Sequence, residues 1–289
     1  MDLGVCVRDV PAPELRRLGQ EAESLGYTDL FVPDIRGADP DPDGPPLTGR
    51  DAFVSLGAMF ASTTSIFGAV GVAAVIFHQP TALALAASTL NEVSDGRFTL
   101  GVGVSHAEAA ARAGVAFPAS PLATMESWVA DLGARSRHGM GFGGDWPILV
   151  GALGPRMVDL GARNADGVVL NWLTVEETAK TVTASKEAAA INNRDGRTVL
   201  YIRVMPDELA MTDAINYDAM ANYHRHFVNQ GLSSPGEIVA ATCLPATDLG
   251  RARHQLERYA EAGLDLACLY PHGWDEADRL RILTELAPT

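Results

Sequence analysis

The chain predicts a (β/α)8 barrel, a closed ring of eight parallel strands with helices between them. Three observations predict it. Eight short apolar runs recur along the 289 residues, at roughly 3–7, 28–34, 66–75, 98–104, 148–152, 168–172, 199–205 and 264–270. A segment of helical periodicity separates each run from the next. The runs are continuously apolar, the pattern of strands covered on both faces. An open doubly wound sheet is the alternative arrangement of the same elements. Residues 1–289 read as a single domain, with no internal repeat of fixed period and no low-complexity tract.

The elements follow in order. Leu3–Val7 is a short strand, and Glu14–Leu25 a helix with Leu15, Leu18, Ala22 and Leu25 on one face. Thr28–Val32 is the second strand, ending at Pro33-Asp34. Gly37–Gly49, rich in Asp, Pro and Gly, is a long loop. Asp51–Ser62 is helical, Ile66–Val75 a Gly-interrupted strand, and Thr81–Val93 an Ala/Leu-rich helix stopped by Asp95-Gly96. Phe98–Val104 is a strand and Leu122–Leu132 a helix. After the unit at 147–174 come a helix over Glu176–Ala190 and a strand over Val199–Met205. Helices follow over Tyr217–Val228, Glu237–Ala241 and Leu249–Ala262, then a strand over Leu264–Tyr270 and a closing helix over Glu276–Leu286.

The stretch Pro147–Thr174, PILVGALGPRMVDLGARNADGVVLNWLT, is the most informative. Ile148–Val150 is apolar, and Gly151, Ala152, Leu153 and Gly154 form a turn. Pro155 suits the first position of a helix, where its missing N–H costs nothing. Asp166-Gly167 stops that helix, and Val168–Leu170 opens another strand. A Gly-rich turn running into a helix start presents free backbone N–H groups, which suit an anion such as a phosphate. An ordinary tight turn is the plain alternative.

Composition narrows the function classes. Lys and Arg number 22 against 36 Asp and Glu, a formal net charge of −14. Such a surface repels nucleic-acid backbones and anionic lipid, so neither partner is expected. Cys6, Cys243 and Cys268 have no pairing or metal spacing, which predicts a reducing, cytoplasmic setting. Cys6 and Cys268 lie in apolar runs and read as small buried hydrophobes. The N-terminus has no signal-peptide pattern, and the apolar stretch Ser65–Ile76 is too short to span a bilayer.

In a barrel the chemistry sits at the strand C-termini. The residues there are Asp34 and Arg36, Gly71–Ala73, Val104–His106, Gly151–Gly154, Asn171–Thr174, Arg203 and Met205, and Tyr270–His272. Leu100-Gly101-Val102-Gly103 is no dinucleotide fingerprint, because its glycines lie in the strand and the third is absent. Gly103-Val104-Ser105-His106-Ala107 is one residue short of a nucleophile elbow, and His272 could complete a Ser…Asp…His order. A polar strand end explains Ser105 equally simply, and no HGGG-type oxyanion loop precedes it. His224 and His226, two apart, point to different helix faces and read as surface residues with no metal partner. His78 reads as a polar residue at a helix start. Trp172 either walls a pocket or caps the barrel.

Three blocks in order resemble the luciferase-like flavin and deazaflavin oxidoreductases. They are EAESLGYTDLFVPD at 21–34, HQPTALALAASTLNEVSDGRFTLGVGVS at 78–105, and the stretch at 147–174. The third looks most like the branch that uses coenzyme F420. The resemblance implies a luciferase-like (β/α)8 barrel, a homodimer, and F420, or alternatively FMN, lying across the strand ends. Its phosphate would sit near Gly151, Ala152, Leu153, Gly154 and the following helix, flanked by Asn171, Trp172 and Thr174. Gly71, Val72 and Ala73 match the place where relatives carry a non-proline cis peptide behind the central ring, and Val104 adjoins it. The implied activity is hydride transfer between the deazaflavin and a small organic substrate, whose pocket would draw on 37–49 and 232–248. An FMN-dependent monooxygenase, a non-catalytic cofactor-binding barrel and, more distantly, a Ser105 hydrolase are the alternatives.

The chain departs from the family pattern at two positions. Many F420 enzymes carry a histidine after the second strand, where this chain has Asp34-Ile35-Arg36. Many carry Thr-Gly-Glu after the fourth, where it has Val104-Ser105-His106, followed by what reads as a short loop. His106 therefore stands at the Glu position and remains an acid or base candidate near neutral pH. Asp34 and Arg36 are the other catalytic candidates.

Overall fold

Strands buried on both faces are the simplest consequence of this sequence. All four residues of Asp29–Val32, all six of Phe98–Gly103 and all five of Leu266–Tyr270 are buried. The computed structural model describes residues 1–34, 50–138 and 140–288. The strands are β1 (Asp2–Cys6), β2 (Asp29–Val32), β3 (Phe67–Ala74), β4 (Phe98–Gly103), β5 (Ile148–Gly151), β6 (Gly167–Asn171), β7 (Arg197–Arg203) and β8 (Leu266–Tyr270). They pair in parallel, in chain order, and β8 returns to β1 to close the barrel. Closure excludes the open doubly wound sheet.

Helices α1 (Leu15–Ser24), α2 (Ala52–Phe60) and α3 (Pro80–Val93) cover the first strands, with α4 (Ala107–Arg112) and α5 (Pro121–His138) after β4. The segment after β4 is thus longer than the short loop expected, and it carries α4. Next come α6 (Pro155–Asn164) and α7 (Val175–Ala190), then α8 (Asp207–Asp218), α9 (Ala221–Asn229), α10 (Pro235–Thr242) and α11 (Leu249–Glu261) between β7 and β8, and finally α12 (Glu276–Glu285). The single helix expected over 217–228 is two, because the chain turns between Asp218 and Ala221. Alternation along each strand divides the core. Cys6, Phe31, Ala69, Leu149, Val169, Val199 and Cys268 fill the barrel interior, while Val5, Leu30, Val70, Leu100, Val150, Val168 and Leu200 pack against the helices. All three cysteines are free and buried, Cys243 included.

The glycines of β4 have a packing reason. A Cβ on Gly101 would lie 2.4 Å from the Val70 carbonyl oxygen, and one on Gly103 would lie 2.8 Å from Val72 Cγ2. The bare backbone of β4 makes room for Val72 where the β3–β4 register shifts between Val70 and Ala73. The Gly71–Val72 peptide there is cis.

A second apolar cluster sits above the ends of β6 and β7. Trp172, Met205, Tyr223, Phe227 and Ile238 join α8, α9 and α10 into a cap. Trp172 meets the Phe227 ring edge to face at 5.8 Å. His226, expected at the surface, is buried beneath this cap. Its Nε2 lies 3.1 Å from the Asn171 carbonyl oxygen and 3.0 Å from that of Trp172. Carbonyls only accept, so Nε2 carries the proton. The reading failed because the apolar face of α9 turned toward a cap that periodicity alone does not show. His224 is exposed and pairs with Asp218.

Two predictions follow from this packing. Gly101→Ala forces a methyl against backbone that cannot swing away, which should cost about 1–3 kcal/mol. A lower urea midpoint at unchanged slope would show it; an unchanged midpoint would refute the crowding. Burial holds the His226 imidazole below its usual value of 6.5, against the opposing pull of the carbonyls it serves. The unfolded chain therefore binds this proton more readily than the folded one, and stability is full above pH 6.5 and declines as pH falls below it. Urea midpoints between about pH 7.5 and 5.5 should drop, and less steeply in His226→Gln, which keeps an N–H donor but does not titrate.

Candidate active site

Eight parallel strands place their carboxyl ends on one face, and a cavity of about 490 Å³ opens there. Its size suits an organic cofactor or substrate. The floor is the β3 turn: Gly71 and Val72, with Gly103 and Gly151 on the neighbouring strands. The Tyr201 hydroxyl donates across the barrel to the Gly71 carbonyl at 2.6 Å. A Cβ on Gly71 would fall 2.2 Å from that hydroxyl and 2.6 Å from Phe31, so only glycine permits the contact. Val72 is held from below, its methyls 2.8 Å from the Cβ position of Gly103 and 3.2 Å from that of Gly151.

One wall is the turn Gly151–Gly154 running into α6. Gly154 is the helix N-cap, with no side chain satisfying the helix start, and Pro155 occupies the first turn. Free N–H groups and the positive end of the helix dipole lie at the cavity edge. Arg8, Arg112 and Arg203 also line the cavity, against Asp34 as its acidic residue among those described. In a chain of net charge −14, this is a local concentration of positive charge.

Arg203 is almost completely buried, at 1% exposure. Its guanidinium stacks 3.5 Å from the Trp172 ring centroid. It donates to Asn171 Oδ1 at 2.8 Å and to Asp213 at 3.3 Å. The Asn171 Nδ2 in turn donates to the Tyr223 hydroxyl at 3.1 Å. Asn171 is thus locked in one orientation at the wall. Beside it, beyond the end of β1, Arg8 donates to the Tyr270 hydroxyl at 2.6 Å and to Asp9 at 3.1 Å.

Of the residues singled out in the sequence, Asp34, Gly71, Val72, Val104, His106, Gly151, Ala152, Leu153, Gly154 and Asn171 line the cavity. Ala73 does not; it is fully buried between the sheet and its helices, because the strand alternation turns it away. Trp172 does not either; it is 1% exposed in the cap, where it supports Arg203 from behind. Thr174 is the N-cap of α7, accepting from Glu177 N, and lies outside the cavity. Arg36 and the loop 37–49 fall outside the described residues. The segment 232–248 forms α10 and its flanks in the cap.

His106 lies at the rim, its Nδ1 accepting from Asn222 Nδ2 at 3.3 Å and its ring 5.4 Å from that of Tyr223. Burial lowers its pKa, so the imidazole is neutral near pH 7. Asp34 contacts His78, Oδ2 to Nε2, at 2.6 Å. His78 is therefore a partner of a cavity carboxylate, more than a polar residue at a helix start. Ser105 has φ +73° and lines the cavity, but among the described residues it bonds to no histidine. His272 lies 3.5 Å from Asp9 instead. The elbow reading thus lacks the histidine partner it needs.

Arg8, Tyr201, Tyr217 and Tyr223 are cavity residues the sequence reading passed over. Arg8 lies beyond the end of β1, Tyr201 sits inside an apolar run where an aromatic reads as core, and Tyr217 and Tyr223 lie among polar residues on helices of the cap. Among the described residues no helix is long and apolar enough to cross a membrane.

Comparison with known proteins agrees with this architecture. An uncharacterized protein of Mycobacterium tuberculosis is 28% identical over 227 residues, covering 65% of this chain and 79% of that one. The 5,10-methylenetetrahydromethanopterin reductase of Methanolobus tindarius is 26% identical over 177 residues, covering 56% and 51%. Among solved structures, an F420-dependent secondary alcohol dehydrogenase in complex with an F420-acetone adduct superposes with a TM-score of 0.79 at 16% identity, over 99% of this chain and 97% of that one. The oxygenating component of 3,6-diketocamphane monooxygenase from Pseudomonas putida, in complex with FMN, gives 0.72 at 12%, over 99% and 96%. The profile of the luciferase-like monooxygenases matches residues 5–267. The chain belongs to that family, whose members are F420- or flavin-dependent oxidoreductases and monooxygenases.

Proposed function

We propose that this enzyme uses coenzyme F420 to carry out hydride transfer to or from a small organic molecule. The observation that carries the reading is the cavity itself: a glycine-lined floor beside an uncapped helix start, ringed by Arg8, Arg112 and Arg203. An uncapped helix N-terminus fits a phosphate, and three arginines fit a cofactor with further negative charge. These residues therefore fit the group. Leu153, Gly154 and the first turn of α6 would hold the phosphate, and Gly71 and Val72 would lie behind the ring. When bound, the deazaflavin supplies a carbon that gives or accepts a hydride. FMN is the second candidate, since its phosphate would use the same helix start and a solved relative of this fold contains it.

The chain's own part is positioning and charge. The Tyr201–Gly71 hydrogen bond fixes the floor, and the Arg203–Asn171–Tyr223 chain fixes the wall. Burial lowers the His106 pKa, and Asp34 Oδ2 is engaged by His78 Nε2. The reading includes a small-molecule substrate, a homodimer as in the resembled family, and the reducing cytoplasm that three free cysteines suit.

Fluorescence titration with F420, and in parallel with FMN, tests the proposal. F420 should saturate the protein at about tens of micromolar or below and bind more tightly than FMN. Gly154→Asp places a carboxylate at the helix start, where nothing lies within 4 Å of the new Cβ. It should weaken F420 binding by about tenfold or more while melting temperature holds or rises, because Asp is a good N-cap. Gly154→Ala should bind as the parent does. Failure of both cofactors to bind would overturn the reading.

A further inference from the structure

We propose that Tyr270, backed by Arg8, is the proton donor to the oxygen of a carbonyl substrate reduced in this cavity. The inference rests on the oxidoreductase reading above and assigns the acid that the substituted family positions do not provide.

Tyr270 ends β8, is 6% exposed, and faces the cavity. Its oxygen accepts from Arg8 Nη1 at 2.6 Å. Among the described residues the proton of that hydroxyl has no acceptor, so it is free to meet a ligand. The other cavity tyrosines differ. The Tyr201 hydroxyl spends its proton on the Gly71 carbonyl, and the Tyr223 oxygen receives only a neutral amide. Tyr217 meets the Arg203 guanidinium only over its ring, at 5.2 Å. Tyr270 alone among them has a cation hydrogen-bonded at its oxygen, and a cation there stabilises the tyrosinate left when the proton departs. Arg8 is held in place by Asp9 Oδ2, which His272 Nδ1 also approaches, at 3.5 Å. Arg203 lies 5.3 Å from the Tyr270 ring and adds positive potential. Burial raises the Tyr270 pKa well above its usual value, so the hydroxyl is protonated at neutral pH before substrate arrives.

The step balances with the reduced cofactor as two-electron donor. A hydride adds to the carbonyl carbon, the C–O π pair passes to oxygen, and the Tyr270 Oη proton moves onto that oxygen to give the alcohol. Solvent then returns a proton to the tyrosinate. An Arg–Tyr pair of this kind selects substrates whose oxygen gains negative charge, as ketones, aldehydes and enones do.

Protein without cofactor can be titrated with p-nitrophenol, a stand-in for that developing oxyanion whose own ionisation lies near neutrality and whose phenolate absorbs visible light. The parent should bind it as phenolate, shifting its ionisation about tenfold or more toward the anion. Tyr270→Phe, which removes one oxygen, and Arg8→Met should each lose about tenfold of that preference. Arg8→Met also leaves Asp9 without its cation, so Tyr270→Phe carries the test if that variant fails to fold. Binding of neutral phenol by the parent, or an undiminished phenolate preference in folded Tyr270→Phe, overturns the proposal. F420 titration of the parent reports separately on the cofactor: its failure removes the hydride source while the phenolate result still reads the Arg8–Tyr270 pair.

Discussion

Val72 has to fit between three strands, and the active face is built around that fit. The side chain stands where β3 departs from register with β4, and its methyls occupy space that any side chain at Gly101, Gly103 or Gly151 would take. Three glycines on two neighbouring strands thus serve one valine. The Tyr201 hydroxyl closes the arrangement by binding the Gly71 carbonyl from the far side of the barrel. The result is a floor fixed from below, from beside and from across. The cavity owes its shape to this crowding, and the residues around its rim are placed relative to it.

The second organising element is charge. A surface of net charge −14 surrounds a cavity with three arginines, and each cation is held differently. Arg203 is buried against an indole and fixed by two hydrogen bonds. Arg8 is tied to Asp9 and Tyr270. Arg112 closes α4, at the wall opened by the segment after β4. Buried cations are costly unless paired, and Asp213 and Asp9 supply that pairing for Arg203 and Arg8.

The barrel was legible because buried parallel strands write themselves as apolar runs; Asp29–Val32 and Leu266–Tyr270 need no partner to be recognised. The turn at Gly151–Gly154 was legible for a similar reason, since proline at a helix start and glycine before it are local signals. The cap was not. Capping was one of the two readings open for Trp172, but the burial of His226 depends on α8, α9 and α10 packing over the ends of β6 and β7, a long-range arrangement its own neighbours do not specify. Arg8 and Tyr270 show the same limit: their contact joins residues 262 apart, formed only because β8 returns to β1.

That closure also bears on how the molecule moves. Arg203 belongs to the barrel through β7, yet it holds Asp213 of α8 and lies against Trp172, whose ring packs on α9. His226 of α9 binds the carbonyls at the end of β6. The cap is therefore stitched to the strand ends by polar contacts as well as apolar ones, and opening it would strand a buried cation and two buried carbonyls at once. Amide protons of α9 and of β6 should consequently exchange with solvent as one cooperative unit, so that ligand entry proceeds through the rim near α4 rather than by lifting of the cap.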